Sequence, residues 1–171
     1  GGLEGADQHC QALATAAGFG DQMWHAYLSS TSSDGSSSIN ARDRIGSGPW
    51  YNFAGVQVAT DVDNLHGENN LTKETVLNEL GEMTNGRGDD PNRHDILTGT
   101  QLDGTAATGD GDTTCQNWTG SGEGSALVGH FDRIGGGDNP TSWNAAHASR
   151  GCGQEDLRGT GGDGLFYCFA Y

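Results

Sequence analysis

Gly164-Leu165-Phe166-Tyr167-Cys168-Phe169-Ala170-Tyr171 closes the chain with eight uncharged residues, four of them aromatic and one a thiol. A short run this apolar, rich in β-prone side chains, reads as a buried strand. No other stretch of the 171 residues is as apolar, so the core has to form around this one, and Cys168 at its centre ties it to the rest.

Around that strand the composition is lean. Thirty glycines and 33% hydrophobic residues describe a loop-rich body with a modest core, of a length that suits one domain over 1–171. A core of this kind gains from covalent support. The four cysteines contain no CxxC pair and have spacings unlike a metal knuckle. They read as two disulfides made in an oxidising compartment, which predicts a secreted or cell-surface protein. Sequence alone allows three pairings. Eight Lys and Arg against 23 Asp and Glu give a formal charge of −15, which argues against nucleic acid and anionic membrane surfaces as partners. There is no apolar run of membrane-spanning length, and Gly1 reads as a processed or trimmed start.

Working back from the terminal strand, the spacing predicts a helix over Gly5–Ala17 with Ala6, Cys10, Leu13 and Ala17 on one face, Asp7 in the first turn and Gly18 at the stop. Trp24 to Leu28 alternates as a strand, and Ser29–Ser38 is a Ser/Thr/Gly loop. Asn40 caps a short turn through Arg44, and Pro49-Trp50-Tyr51 with Val56 and Val58 suggests a small irregular hairpin. A second helix is expected from Thr72, with Leu71 and Val76 as a staple, Val76, Leu77, Leu80 and Met83 as its inner stripe, and Gly81 near its end. Arg87-Gly88-Asp89 and Asp90-Pro91-Asn92 read as solvated turns. The runs Asp95–Thr98, Cys115–Thr119 and Ser125–Phe131, with the terminal strand, predict a mixed, mostly antiparallel sheet with long excursions.

Several of these features resemble a known family. Gly5-Ala6-Asp7 leading to Cys10, Trp24-His25-Ala26-Tyr27-Leu28-Ser29-Ser30, Thr98-Gly99-Thr100 to Asp103-Gly104, Cys115-Gln116-Asn117-Trp118, and the closing Cys152 and Cys168 look like endostatin and the wider C-type lectin-like fold. That fold includes bacterial extracellular domains with the same cysteine plan. The resemblance implies an α+β, C-type lectin-like (endostatin-like) fold with two helices. It also implies nested disulfides, Cys10 with Cys168 and Cys115 with Cys152. The arginine-rich heparin surface and the histidine-led zinc segment of endostatin have no counterpart here. The lectin Trp-Asn-Asp is Trp143-Asn144-Ala145 in this chain, and Asp90-Pro91-Asn92 lies farther upstream of Cys115 than the lectin spacing would place it.

A calcium ion needs six to eight oxygens, and the acidic loop before Cys115 offers Asp103, Asp110 and Asp112, with the Asn144 amide as a further ligand. Asp61 and Asp63 are read as a helix cap or turn. For catalysis there is no HExxH, GxSxG or phosphate loop; His94-Asp95 and His130 with Asp132 are the His/carboxylate neighbours worth checking, the latter pair sharing one face of a strand. The expected function is therefore an extracellular recognition module, not an enzyme, that binds a glycan or a protein through its loop-rich face, with Trp118, Trp143, Tyr51 and Asn144 as contact residues. Two alternatives stand beside it. One is a structural subunit of a fibre or adhesin tip, associating with copies of itself through exposed apolar surface; the other is a hydrolase using a His/Asp pair.

Overall fold

The computed structural model describes residues 1–31 and 37–171, so the middle of the Ser29–Ser38 loop lies outside the described residues. Among the described residues the chain is α+β, with four α-helical segments, one short 3-10 turn, two small antiparallel sheets and one mixed sheet. Helix α1 (Gly2–Ala16) buries Cys10 and Ala14 and rests Leu3 and Ala6 on the same apolar cluster. It ends where Gly18 takes φ +88°, a left-handed conformation that favours glycine.

Because α1 starts at Gly2 and not at Gly5, Glu4 and not Asp7 is the acidic residue of its first turn, and Asp7 serves to dock the helix instead. Its carboxylate accepts the Ala26 N–H at 2.9 Å and a two-pronged contact from Arg44 at 2.8 and 2.6 Å. That pairing docks α1 against strand β1 (Trp24–Ala26), since Arg44 also donates to the Ala26 and Leu28 carbonyls.

Ala41–Asp43 forms the expected short turn after Asn40, and β2 (Trp50–Tyr51) with β3 (Gln57–Ala59) forms the irregular hairpin. Helix α2 (Val62–His66) was not expected, although its cap was: Asp61 accepts the Asn64 N–H at 2.8 Å. The helix expected from Thr72 does not form. One turn closes between the Val76 N–H and the Thr72 carbonyl, and then Asn78 takes over. Its side-chain oxygen accepts from the Leu80 and Glu82 N–H groups and its own N–H reaches the Glu82 carbonyl, so an Asn turn replaces the helical ladder. Leu80 and Met83 are exposed instead of lining an inner stripe.

Strands β4 (Asp95–Leu97), β5 (Leu127–His130) and β6 (His147–Ala148) are antiparallel neighbours, with Asp95 directly opposite His130. Between β4 and β5, α3 (Cys115–Trp118) replaces the apolar run expected there with a single turn at φ +48° to +64°. A left-handed turn of four non-glycine residues is costly, on the order of 1–2 kcal/mol per residue, and needs outside support. Asp112 accepts from the Gln116 N–H, Thr114 from the Asn117 N–H, and the Asn117 amide clasps both backbone groups of Thr31. Helix α4 (Gln154–Thr160), also unexpected, starts with Glu155 and Asp156 near its N-terminus and stops at Gly161 (φ +113°).

The terminal run is two strands. β7 (Gly162–Phe166) lies parallel to β4, and β8 (Cys168–Ala170) lies antiparallel to β1. The switch falls at Tyr167, whose carbonyl takes the Tyr27 N–H and whose hydroxyl donates to the Trp143 carbonyl at 2.9 Å. Gly164 (φ +79°) sits where β7 slips register against β4. The main core therefore packs between sheets: Tyr27, Trp50, Phe131, Trp143, Tyr167 and Phe169, with ring contacts of 4.8–6.5 Å among Tyr27, Trp143, Tyr167 and Phe169. Disulfides Cys10–Cys168 and Cys115–Cys152 fasten α1 to β8 and the left-handed turn to the segment before α4. No helix among the described residues is long and apolar enough to cross a membrane.

Candidate functional site

The four residues expected to contact a ligand do not come together. Trp143 is 3% exposed and sits in the aromatic core, and only its edge, with Asn144, lines a cleft of about 430 Å³ beside His66 and Arg133. Asn144 is 1% exposed and fully used: its amide nitrogen donates to the Tyr27 hydroxyl and the Gln101 and Leu102 carbonyls, while its oxygen accepts from Ser142. Trp118 is half-buried, donates to the Ser29 carbonyl at 2.7 Å, and lines an apolar cleft of about 280 Å³ with Leu28, Leu97 and Phe166. Tyr51 alone is open, 56% exposed on β2.

Tyr51 has apolar company. Phe53 and Val56 project from the same hairpin, and the Phe19 ring meets Phe53 edge-on at 5.5 Å. Gly81 lies so close to the Phe53 ring that a Cβ there would come within 2.6 Å of it, which brings Leu80, 65% exposed, beside the hairpin. The Asn78 turn that displaced the expected helix thus leaves Leu80 exposed, next in sequence to the Gly81 that abuts Phe53.

In the acidic loop, Asp103 turns its carboxylate onto Thr105, accepting its N–H and hydroxyl, and these contacts hold its carboxyl below the usual range. Asp112 spends both oxygens on the Thr114 and Gln116 N–H groups. Asp110 is exposed. These carboxylates do not gather around a point: among the described residues, the one set of three acidic, His or Cys ligand atoms within 4.8 Å of one another is His94, Asp95 and His130.

That set is built by strand pairing. The β4–β5 register puts Asp95 against His130, and β6 adds His147 from the other side of β5. Three imidazole Nε2 atoms converge on Asp95 Oδ1, at 3.2 Å from His94, 3.3 Å from His130 and 3.5 Å from His147. The opposite ring nitrogens are anchored outward: His94 Nδ1 to Asp132 Oδ1 at 3.1 Å, His130 Nδ1 to the Pro140 carbonyl at 2.8 Å and His147 Nδ1 to the Ala148 carbonyl at 3.0 Å. His94 therefore bridges both carboxylates, meeting its neighbour Asp95 through Nε2 and Asp132 through Nδ1, while His130 faces Asp95 and not its own neighbour Asp132. Asp132 is itself fixed by the Arg87 and Ile134 N–H groups.

His94, Asp95 and His130 are almost wholly buried, and His147 is the half-exposed edge of the cluster. The approaches of Nε2 to Asp95 are within ion-pair range but miss hydrogen-bond geometry, and both Asp95 oxygens and His130 Nε2 are buried with no hydrogen-bond partner. Burial alone would raise the Asp95 carboxyl, but the contacts from His130 and His147 outweigh it and hold it below the usual range. The same contact with Asp95 raises His147 against the opposing effect of its burial. Glycines close the cluster from outside: a Cβ on Gly135 would lie 1.9 Å from His130 Cε1, and one on Gly161 3.1 Å from His94. His147 was not singled out from the sequence, where nothing links it to residues far upstream.

Neither a family model nor a curated protein matches the chain.

Proposed function

We propose that the chain is an extracellular recognition module of C-type lectin-like fold that binds a protein partner through the apolar face of the β2–β3 hairpin, independently of calcium. The observation that carries this reading is the exposed group Tyr51, Phe53, Val56, Phe19 and Leu80 on a chain of charge −15. Apolar groups massed on an otherwise solvated surface mark an interaction site. Its mix of rings and aliphatic chains suits a protein surface better than a sugar, which would need polar groups set around a ring. Two disulfides are compatible with an extracellular setting. The nested cysteine pairing and the helix stapled to the terminal strand support the lectin-like assignment. Asp103 and Asp112, bonded to their own loop, support independence from calcium.

The test is to probe arrays of extracellular proteins and of glycans with the domain and with a Phe53→Ser, Leu80→Ser variant, with calcium and with chelator. The reading expects protein binding that the double substitution weakens at least tenfold and that the chelator leaves unchanged. Glycan binding that survives the double substitution would overturn it. Concentration-dependent self-association in sedimentation, lost in the variant, would point instead to a subunit of an extracellular fibre.

A further inference from the structure

The geometry points to His94, Asp95 and His130, whose ligand atoms lie within 4.8 Å of one another, with His147 at their edge, as a site for one divalent transition-metal ion of the zinc class, held by imidazole Nε2 atoms and one carboxylate oxygen. This site is separate from the apolar face and does not depend on how that face is read.

The proton count leads to it. Each Nδ1 faces an acceptor with no proton to give: the Asp132 carboxylate, the Pro140 carbonyl and the Ala148 carbonyl. Each ring therefore keeps a proton on Nδ1, and whenever the imidazole is neutral its Nε2 is a bare lone pair. With all three rings neutral, three lone pairs converge on an oxygen that has only lone pairs of its own, and a proton on His147 Nε2, facing Asp95, would relieve only one of the three contacts. In a buried place this is an uncompensated arrangement, and the unpartnered Asp95 oxygens and His130 Nε2 record it. A cation at the centre satisfies all four donors at once. Imidazoles whose outer N–H is tied to a carbonyl or carboxylate are also the usual outer arrangement of metal-bound histidine.

Spacing and charge agree. Four donors around a tetrahedral ion at about 2.0–2.1 Å lie about 3.3–3.4 Å apart; the three Oδ1 to Nε2 edges are 3.2, 3.3 and 3.5 Å, and the His94, Asp95 and His130 ligand atoms all lie within 4.8 Å of one another, with His147 outside that closer set. A dication balances the charges of Asp95 and Asp132. The alternative, protonating every Nε2, would set three cationic rings around one carboxylate, two of them stacked in parallel at 4.3 Å. Three nitrogens in the donor set favour zinc-class ions over calcium or magnesium, which take oxygens. With four protein donors and glycines closing over the rings, the site reads as structural, pinning β4, β5 and β6 to one point.

The test uses the whole domain, stripped with a chelator and titrated with Zn²⁺ alone by calorimetry and thermal melting, and with Co²⁺ by visible absorption. One equivalent of Zn²⁺, a melting temperature raised by several degrees and an intense, tetrahedral-type Co²⁺ spectrum are expected. His147→Gln, at the half-exposed edge, should weaken Zn²⁺ binding at least tenfold, whereas His9→Gln, on the exposed side of α1, should not change it. No Zn²⁺ uptake, an unshifted melting curve, or binding that His147→Gln leaves intact would overturn the assignment. The titration and Co²⁺ spectrum of the unmutated domain keep it falsifiable even if the variant does not fold.

Discussion

Two buried regions of this molecule differ in how they treat their polar atoms. Around Tyr27, Trp143 and Tyr167, each polar group that enters the core is paired: Tyr167 donates to Trp143, Asn144 makes four contacts, and Tyr27 Oη meets His66 Nε2 at 2.7 Å. Across the β4–β5–β6 sheet, at comparable depth, two carboxylate oxygens and an imidazole nitrogen have no partner. Folding tolerates few such groups, because a buried donor or acceptor without a partner costs about 1–3 kcal/mol. The first region is what a scaffold looks like; the second has the unfinished bonding of a site. Burial alone does not separate them, but satisfaction of hydrogen bonds does.

The largest effect that sharpens this contrast belongs to the scaffold. Removing the Cys10–Cys168 link, 158 residues apart, with paired serines should cost about 5 kcal/mol on the chain-entropy model, against about 4 kcal/mol for Cys115–Cys152, 37 residues apart. Denaturant unfolding of the two paired variants measures the ranking, and equal losses would contradict it. Next comes Asn144→Ala, which strips partners from Tyr27, Gln101, Leu102 and Ser142 and should cost about 2–4 kcal/mol. A loss under about 0.5 kcal/mol would mean that water replaces the amide and the scaffold is less tightly satisfied than described.

Much of the scaffold was legible in the chain. Helix α1, the first strand, the hairpin after Pro49 and the apolar terminal run all announce themselves by local periodicity and turn residues. The terminal run hid its division, since a single sheet-switching residue, Tyr167, leaves no mark on a strand pattern. The Thr72 helix failed because Asn78 closes a turn that competes with the ladder. The left-handed turn at Cys115 depends on Asp112, Thr114 and Thr31, so its local sequence cannot specify it. The cysteine pairing came through family resemblance, not through spacing. The His/Asp site was only half legible: His94-Asp95 stands out as a pair and does meet, but His130 faces Asp95 and not Asp132, which His94 holds, and His147 joins only through the pairing of β5 and β6.

The smallest expected effect lies on the surface. Tyr51→Ser and Phe53→Ser should change unfolding free energy by less than about 1 kcal/mol each, because both rings are half-exposed or more. A larger loss would show that the apolar face belongs to the core and is not kept for a partner.

The contrast between a finished and an unfinished interior is tested most directly by the zinc K-edge absorption of the zinc-loaded domain. The account predicts a four-coordinate shell of nitrogen and oxygen at about 2.0–2.1 Å, with the outer-shell scattering of three imidazoles. A shell of six oxygens without imidazole scattering would place the ion elsewhere and contradict it.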